Sequence, residues 1–152
     1  MHIDLATAES RLAQRLDELA VADAADIAWA TIWLEACGYS GIKLLGEALA
    51  DERRSLALAR DVLGLDLDNV SSAFLAPAVT REVAANGRAF LRNVRHGLFM
   101  LPFTVRHNIG IGCPVDPSFA VGGERHKNPY TEKLALAAAH GLEIDETVLA
   151  SI

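Results

Sequence analysis

The sequence predicts an α+β or α/β protein in which N-terminal helices pack on a small mixed β-sheet, and three observations support this. Apolar residues recur at helical spacing through the first fifty residues. From about residue 72, short apolar runs alternate with helical segments, a pattern typical of chains that build small sheets. The 152 residues match the length of one ordinary domain, without repeats or low-complexity linkers. We therefore expect a single domain over 1–152, with a helical part over 1–51 and a mixed part over 72–145.

The first forty residues are expected to contain two helices. Asp4 is placed to cap the first, in which apolar residues repeat every three or four positions over 5–19. The second covers about 23–37 and carries Trp29 and Trp33 on one stripe. Two tryptophans one turn apart predict burial in the core, with a subunit interface as the alternative.

The rest of the chain is expected to alternate between strands and helices. A third helix covers about 42–51, and the apolar spacing over 52–72 fits either a continued helix or a strand. The later elements are predicted as a strand at 72–76, a helix at 78–85, a strand at 89–94, a helix at 97–107 with Pro102 kinking it or in its first turn, a buried strand at 109–113, and a helix at 132–140 capped by Thr131 and ended by Gly141.

Charge and composition exclude several classes of protein. The formal net charge of −6 argues against general nucleic-acid binding, and no uncharged apolar run approaches the 18 residues of a membrane span. The start of the chain lacks the basic and apolar segments of a signal peptide. Cys37 and Cys113 do not form a disulfide framework, so we expect a cytoplasmic protein without membrane partners.

The charge is unevenly distributed along the chain. Residues 1–72 carry a net charge of −7, residues 73–127 carry +4, and the last 25 residues carry −3. A basic middle segment attracts anions locally even in an acidic protein. The alternative is that its arginines pair with the acidic N-terminal helices, within one chain or between subunits.

Candidate site residues concentrate between 92 and 130, where polar groups and chain breakers lie at the expected ends of strands. Such loops commonly carry ligand sites in α/β sheets. His96 follows a predicted strand and is the candidate for donating a proton or a hydrogen bond, with a structural histidine as the alternative. Gly122 and Gly123 form a turn that either exposes amides to an anion or is a plain surface turn. The candidate ligand-binding residues are Arg92, Asn93, Arg95, Gly122, Gly123, Arg125, Lys127 and Asn128.

No metal motif occurs in the chain, which has neither Cys-x-x-Cys nor His-Glu-x-x-His. A metal held by the scattered set His96, His107, Asp116 and His126 is the weaker possibility, and we predict no metal site. No P-loop or Gly-x-Gly-x-x-Gly fingerprint is present. Cys113 is either a nucleophile or, as we expect, a buried strand-end cysteine.

The order of three features is similar to the malate/L-lactate dehydrogenase family of non-Rossmann NAD(P)-dependent reductases. Asn93-Val-Arg-His96-Gly97 resembles the family's histidine motif. A Gly-Gly turn at 122–123 then precedes Asn128-Pro129, as in the family. The resemblance covers about residues 20–130 and implies an NAD(P)-dependent keto-acid or 2-hydroxy-acid reductase with His96 as the acid. The family's Ser-His-Gly histidine has no counterpart between Ser40 and Gly41, and the chain is less than half a family member's length.

An uncharacterised bacterial protein family fits the sequence equally well. We therefore expect a homo-oligomeric protein that binds a small anionic metabolite, such as a carboxylate, at the 92–130 loops. The missing second histidine argues against dehydrogenase activity, and whether any chemistry follows binding stays open. We expect no cofactor, with an NAD(P)-dependent reductase as one alternative. A non-catalytic interaction or oligomerisation protein is the other.

Overall fold

The structure, a computed structural model, describes residues 1–51, 56, 58–62, 64–87, 89–109, 111–112 and 130–152. These residues form two compact units, one containing residues 1–50 and 130–152 and the other the described residues between 51 and 112. In chain order the elements are β1 (His2–Ile3), α1 (Leu5–Glu18), α2 (Ala24–Ala36), α3 (Gly41–Ala50), β2 (Ala59–Asp61), β3 (Gly64–Asp66), α4 (Ser72–Asn86), β4 (Ala89–Arg92), the 3₁₀ helix Gly97–Phe99, α5 (Met100–His107), β5 (Ile111–Gly112), α6 (Tyr130–His140), β6 (Leu142–Glu143) and α7 (Glu146–Ala150).

The described chain is a mixed α+β protein, as the sequence predicts. The predicted helices over the first fifty residues are all present. The C-terminal helices α6 and α7 belong to the same unit as these N-terminal helices. The single domain stays a prediction. Among the described residues, no helix combines the length and the apolar character required to cross a bilayer.

The first unit is built around α2. The Asp4 side chain caps α1 by accepting the Thr7 amide at 2.8 Å, so this predicted cap is confirmed. α1 then buries one stripe, which includes Leu12 and Leu16, against α2. α2 has buried residues on all sides because α1, α3 and α6 all contact it. Its Trp33 is buried, which fits the core-packing interpretation of the tryptophan stripe.

A two-stranded sheet joins the ends of the first unit. β1 pairs with β6 in antiparallel register, with His2 opposite Glu143. The α6 helix begins at Tyr130, whose ring lies 4.9 Å from that of Trp33. Thr131 is therefore inside the helix, and the predicted Thr131 cap is wrong. The aromatic contact with α2 is a tertiary interaction that local capping rules do not include.

The second unit contains a four-stranded mixed sheet with the strand order β2-β3-β4-β5. β2 and β3 are antiparallel, while β3 runs parallel to β4 and β4 parallel to β5. This hairpin decides the open choice over 52–72 in favour of strands at 59–61 and 64–66. Within this unit, Leu65 and Leu91 are fully buried and the Arg60 guanidinium reaches Glu82 of α4 at 2.7 Å. The helix that covers this sheet within its own unit is thus α4.

One predicted strand of the second unit is wrong. Residues 72–76 form the start of α4, which continues through Pro77 to Asn86. Ser71 caps this helix by accepting the Ala73 amide at 3.2 Å. Because the segment is buried on all sides, its apolar run does not distinguish a helix from a strand.

The remaining predictions for this unit are close to the structure. β4 and α5 lie where they were expected, and Pro102 is in the first turn of α5. The predicted buried strand at 109–113 is observed as β5, in which Ile111 is half-buried rather than buried. Residues 110 and 113, at its predicted centre and end, lie outside the described residues.

Candidate functional site

The parallel strands bring the ends of three chain segments to one edge of the sheet. β3, β4 and β5 run in the same direction, so their carboxyl ends lie together. β3 is followed by the turn that leads to Ser71, β4 by residues 93–96, and β5 by residues 113–129. We call this the carboxyl edge. Ligand sites of open α/β sheets are found outside such edges.

His96 is held at the carboxyl edge by a buried serine. Its backbone adopts the left-handed conformation, with φ 51° and ψ 43°, and its side chain is half-buried. The imidazole Nδ1 lies 2.7 Å from Oγ of the fully buried Ser71. Two arrangements satisfy this contact, because either the hydroxyl donates to Nδ1 or a protonated Nδ1 donates to the hydroxyl oxygen. In the first arrangement the imidazole proton resides on Nε2.

The backbone around His96 is also fastened to the start of α4. Ser71 and Arg95 form a parallel β-bridge, and the Ser72 amide donates to the Arg95 carbonyl at 2.8 Å. The Ala73 amide donates to Ser71 Oγ, and the Phe74 amide donates to the Ser71 carbonyl at 3.1 Å. The first amides of α4 are therefore engaged in protein contacts and do not form a phosphate cradle of the kind that helix N-termini offer.

The two candidate arginines of this edge are both ion-paired. Arg92 Nη2 donates to Asp61 Oδ2 of β2, and Arg95 Nη1 donates to Asp51 Oδ2. The Arg95 side chain is 46% exposed and that of Arg92 is 29% exposed, so water reaches part of each guanidinium group, but Arg92 Nε is buried and has no hydrogen-bond partner among the described residues. The Arg95–Asp51 pair fits the pairing alternative, because Asp51 ends the predicted third helix, whereas Asp61 lies beyond the N-terminal helices.

Asn93 is the third candidate whose partner is an aspartate. Its Nδ2 donates to Asp66 Oδ1 at 2.8 Å, and the Asp68 amide donates to the same oxygen at 2.9 Å. The Asn93 hydrogen bond, followed by the Asp68 amide bond, lowers the pKa of the Asp66 carboxyl from its ordinary value. Asn93 therefore favours the ionised form of this carboxyl and links the end of β4 to the end of β3.

The other candidate residues fall outside the described part of the chain. They are Gly122, Gly123, Arg125, Lys127 and Asn128, together with Cys113, Asp116 and His126 from the weaker metal and nucleophile proposals. The predicted meeting of His96 with the Gly122 turn therefore stays a prediction. His107 is exposed on α5. Among the described residues, no three His, Cys, Asp or Glu side chains are grouped as a metal site.

No protein-family model, curated protein or solved structure matches this chain. The similarity to the malate/L-lactate dehydrogenase family therefore stays a prediction from the order of sequence features.

Sequence reasoning missed four side chains that define this edge. Ser71 had a usable signal, because serine directly before a buried apolar run is typical of a helix cap. Asp51, Asp61 and Asp66 had none, because they lie 27 to 44 residues from their partners in sequence. Their contacts depend on the strand order.

Proposed function

We propose that this protein binds a small carboxylate at the carboxyl edge of its mixed sheet, without transforming it. The observation that carries the proposal is His96, which the Ser71 hydroxyl holds at the end of a central parallel strand. An imidazole fixed in this way presents its ring in one orientation, and preorganised polar groups lose little freedom on binding. His96 supplies a hydrogen bond to the ligand, and Arg92 and Arg95 supply positive charge.

The ion pairs of the arginines are compatible with this role. Each guanidinium already holds a carboxylate, so the side chains are in a geometry that suits the ligand proposed here. The Arg92–Asp61 pair is partly exposed, and such pairs contribute about 0–1 kcal/mol, so a ligand carboxylate can replace Asp61 at small cost. The Asp51 side chain is only 13% exposed, so leaving it without Arg95 costs more.

The direction of β5 supports the same location. β5 runs parallel to β4, with Gly112 in register with Phe90, so the described end of β5 points toward the edge where His96 lies. We propose that Gly122 and Gly123 donate backbone hydrogen bonds to the ligand there. Arg125, Lys127 and Asn128 add cationic and polar donors from the same segment.

The test uses pyruvate and L-malate as probes, followed by NMR of the ¹⁵N-labelled chain. We expect dissociation constants of order 1 mM, with shifts in the amides of residues 93–97. His96→Ala should weaken binding at least tenfold, whereas Arg106→Gln, a matched loss of one exposed arginine on α5, should not. If neither probe shifts these amides at about 50 mM, binding is much weaker than the millimolar dissociation constant expected here, and the proposal is contradicted. Equal weakening in both variants also contradicts it.

The same samples separate binding from the reductase alternative. NADH and NADPH are added with pyruvate, and absorbance of the reduced nicotinamide is followed. We expect no turnover. Oxidation of either cofactor that is lost in His96→Ala would establish the reductase instead, with His96 as the proton donor.

A second candidate function is self-association through the outer face of the mixed sheet. Burial alternates along β4, so Phe90 lies on the face opposite Leu91 and is 48% exposed. The same face carries Arg92 and Asp66, which the register places side by side. An apolar centre flanked by both charges is self-complementary under a two-fold axis, so we propose a second copy of the chain as its partner.

Light scattering after gel filtration tests this assembly. We expect a dimer for the natural chain and a monomer for Phe90→Ser. Leu136→Ser is the control, because Leu136 is 57% exposed but lies in the other unit. A natural chain that is monomeric at about 50 μM, a concentration well above the micromolar dissociation constants of specific dimers, contradicts the proposal.

We place the protein in the cytoplasm. Cys37 is buried as a free thiol, and a reducing compartment keeps such groups reduced. Fractionation of cells that express a tagged chain tests this location. Recovery in an extracytoplasmic fraction contradicts it.

A further inference from the structure

A groove in the first unit lies between α1 and the C-terminal helix α7. It is a groove of about 460 Å³, which is within the usual range for small-molecule sites. Its apolar lining includes Leu12 of α1, Leu149 of α7 and Ile152. Leu12 and Ile152 are buried and Leu149 is half-buried, so these apolar side chains are held in place by packing. We call it the α1–α7 groove.

The charged residues that line this groove are mostly basic. Arg11 and Arg15 lie one turn apart on α1, and Glu146 is the acidic residue among the lining side chains. Arg15 is already engaged, because its Nε donates to the backbone oxygen of Ile152 at 2.8 Å and its Nη1 to Glu18 at 3.1 Å. These contacts hold the end of the chain against α1.

Arg11 has a different environment. Its Nη1 lies 3.7 Å from the Met1 sulfur, which is a weak acceptor. Among the described residues, no carboxylate lies within ion-pair distance of the Arg11 guanidinium. Arg11 is therefore a cation that lines an apolar groove and can donate charge-assisted hydrogen bonds to another acceptor.

We propose that the α1–α7 groove binds a monocarboxylate with a hydrocarbon body. The carboxylate is held by Arg11, whose planar guanidinium forms paired hydrogen bonds with such a group. The hydrocarbon lies against the half-buried Leu149 and displaces water from the exposed part of the apolar lining. This site lies in a different unit from His96, so it does not depend on the function proposed above.

The experiment is a titration of the full chain with decanoate labelled with ¹³C at the carboxyl carbon. We expect a saturable shift of the carboxyl signal. Decanol tests whether the charge is needed and acetate tests whether the hydrocarbon is needed, and each should bind at least tenfold more weakly. Equal affinity for decanol or acetate overturns the proposal.

Variants locate the site. Arg11→Gln should weaken decanoate binding about tenfold or more, as expected for losing a charge-assisted hydrogen bond. Lys43→Gln removes an exposed charge from α3 of the same unit and should leave binding unchanged. Ala150→Phe fills the groove and should abolish binding, and Ala150→Glu should do the same by repulsion if the first variant does not fold.

The outcomes distinguish this site from the carboxyl edge. His96→Ala should leave decanoate binding unchanged, and Arg11→Gln should leave pyruvate binding unchanged. Equal effects of Arg11→Gln and Lys43→Gln would show only general attraction of anions and would overturn the groove proposal. If both Ala150 variants bound decanoate with the affinity of the natural chain, the groove proposal would also be overturned.

Discussion

Gly64 fixes the spacing of β3 and β4, and its replacement tests the sheet on which the carboxyl edge depends. It has φ +126°, a conformation that L side chains rarely adopt. A Cβ placed on Gly64 would lie 2.1 Å from the Phe90 carbonyl oxygen and 2.9 Å from the carbonyl carbon. Since both atoms belong to the backbone of β4, no side-chain rotation relieves the overlap.

The magnitude of the Gly64→Ala effect follows from two costs. The unfavourable φ costs about 1–2 kcal/mol for an L-residue. Forcing the two strands apart adds about 1–3 kcal/mol, the usual cost of overpacking. We therefore expect the free energy of unfolding of the second unit to fall by about 2–5 kcal/mol. Gly87 provides the matched control, because its φ is +92° but nothing lies within 4 Å of a Cβ there. Gly87→Ala should cost only the first term.

Hydrogen exchange of the β3 and β4 amides measures this difference, because both tryptophans lie in the other unit and do not report on the sheet. A free energy of 1.4 kcal/mol corresponds to a factor of ten in protection. Gly64→Ala should reduce protection at least about 30-fold and at least about fivefold more than Gly87→Ala, which should reduce it about five- to thirty-fold. Protection in the two variants that agrees within about threefold, or about 0.7 kcal/mol, would show that the close approach to Phe90 carries no energy and would refute the reasoning.

Three further predictions concern titratable groups. Burial raises the pKa of the Cys37 thiol to about 11, so in a Cys113→Ser background Cys37 should react with Ellman's reagent at pH 8 only after unfolding; rapid reaction of the folded chain contradicts this. Burial also raises the pKa of the Glu35 carboxyl, so its ionised form destabilises the fold. Glu35→Gln should therefore raise the melting temperature at pH 7 relative to the natural chain. This gain should disappear below pH 4.5, the ordinary glutamate pKa, where the carboxyl is protonated in both the folded and the unfolded chain. The hydrogen bond from Asn93 is the main cause of the lowered pKa of the Asp66 carboxyl, so the stabilising effect of the ionised carboxylate is lost as the pH falls through the folded-state pKa. In Asn93→Ala, the Asp66 pKa measured by carboxyl ¹³C NMR should move up toward 3.8. An unchanged pKa would exclude Asn93 as the cause.

The parts of the fold that the sequence predicts correctly are those with local signals. The cap at Asp4 and the apolar stripe of α1 depend on neighbouring residues, so they can be recognised without the tertiary structure. The start of α4 has no such stripe, because the run before Pro77 is buried on every side. Tyr130 extends α6 through a ring contact with Trp33, about a hundred residues earlier in the chain.

In the candidate site, too, the residues with local sequence signals could be predicted, and those that depend on distant contacts could not. His96 could be identified from its place after a predicted strand, and the structure keeps it at the end of β4. Its partner Ser71 is 25 residues away, and the contact exists because β3 is followed by α4 and then by the parallel strand β4. The aspartates that hold Arg92 and Arg95 come from still more distant positions, so charge counts along the chain did not show that these two arginines are neutralised by ion pairs.

This neutralisation sets the affinity that the carboxyl edge can reach. When a ligand carboxylate replaces Asp61 on Arg92, one partly exposed ion pair is exchanged for another, and the net gain is close to zero. Net affinity must then come from His96 and from other hydrogen-bond donors. Three such hydrogen bonds, at about 1–1.5 kcal/mol each, give about 3–4.5 kcal/mol and a dissociation constant of about 0.5–6 mM. A micromolar constant for pyruvate would exceed this sum and would contradict the proposed binding geometry.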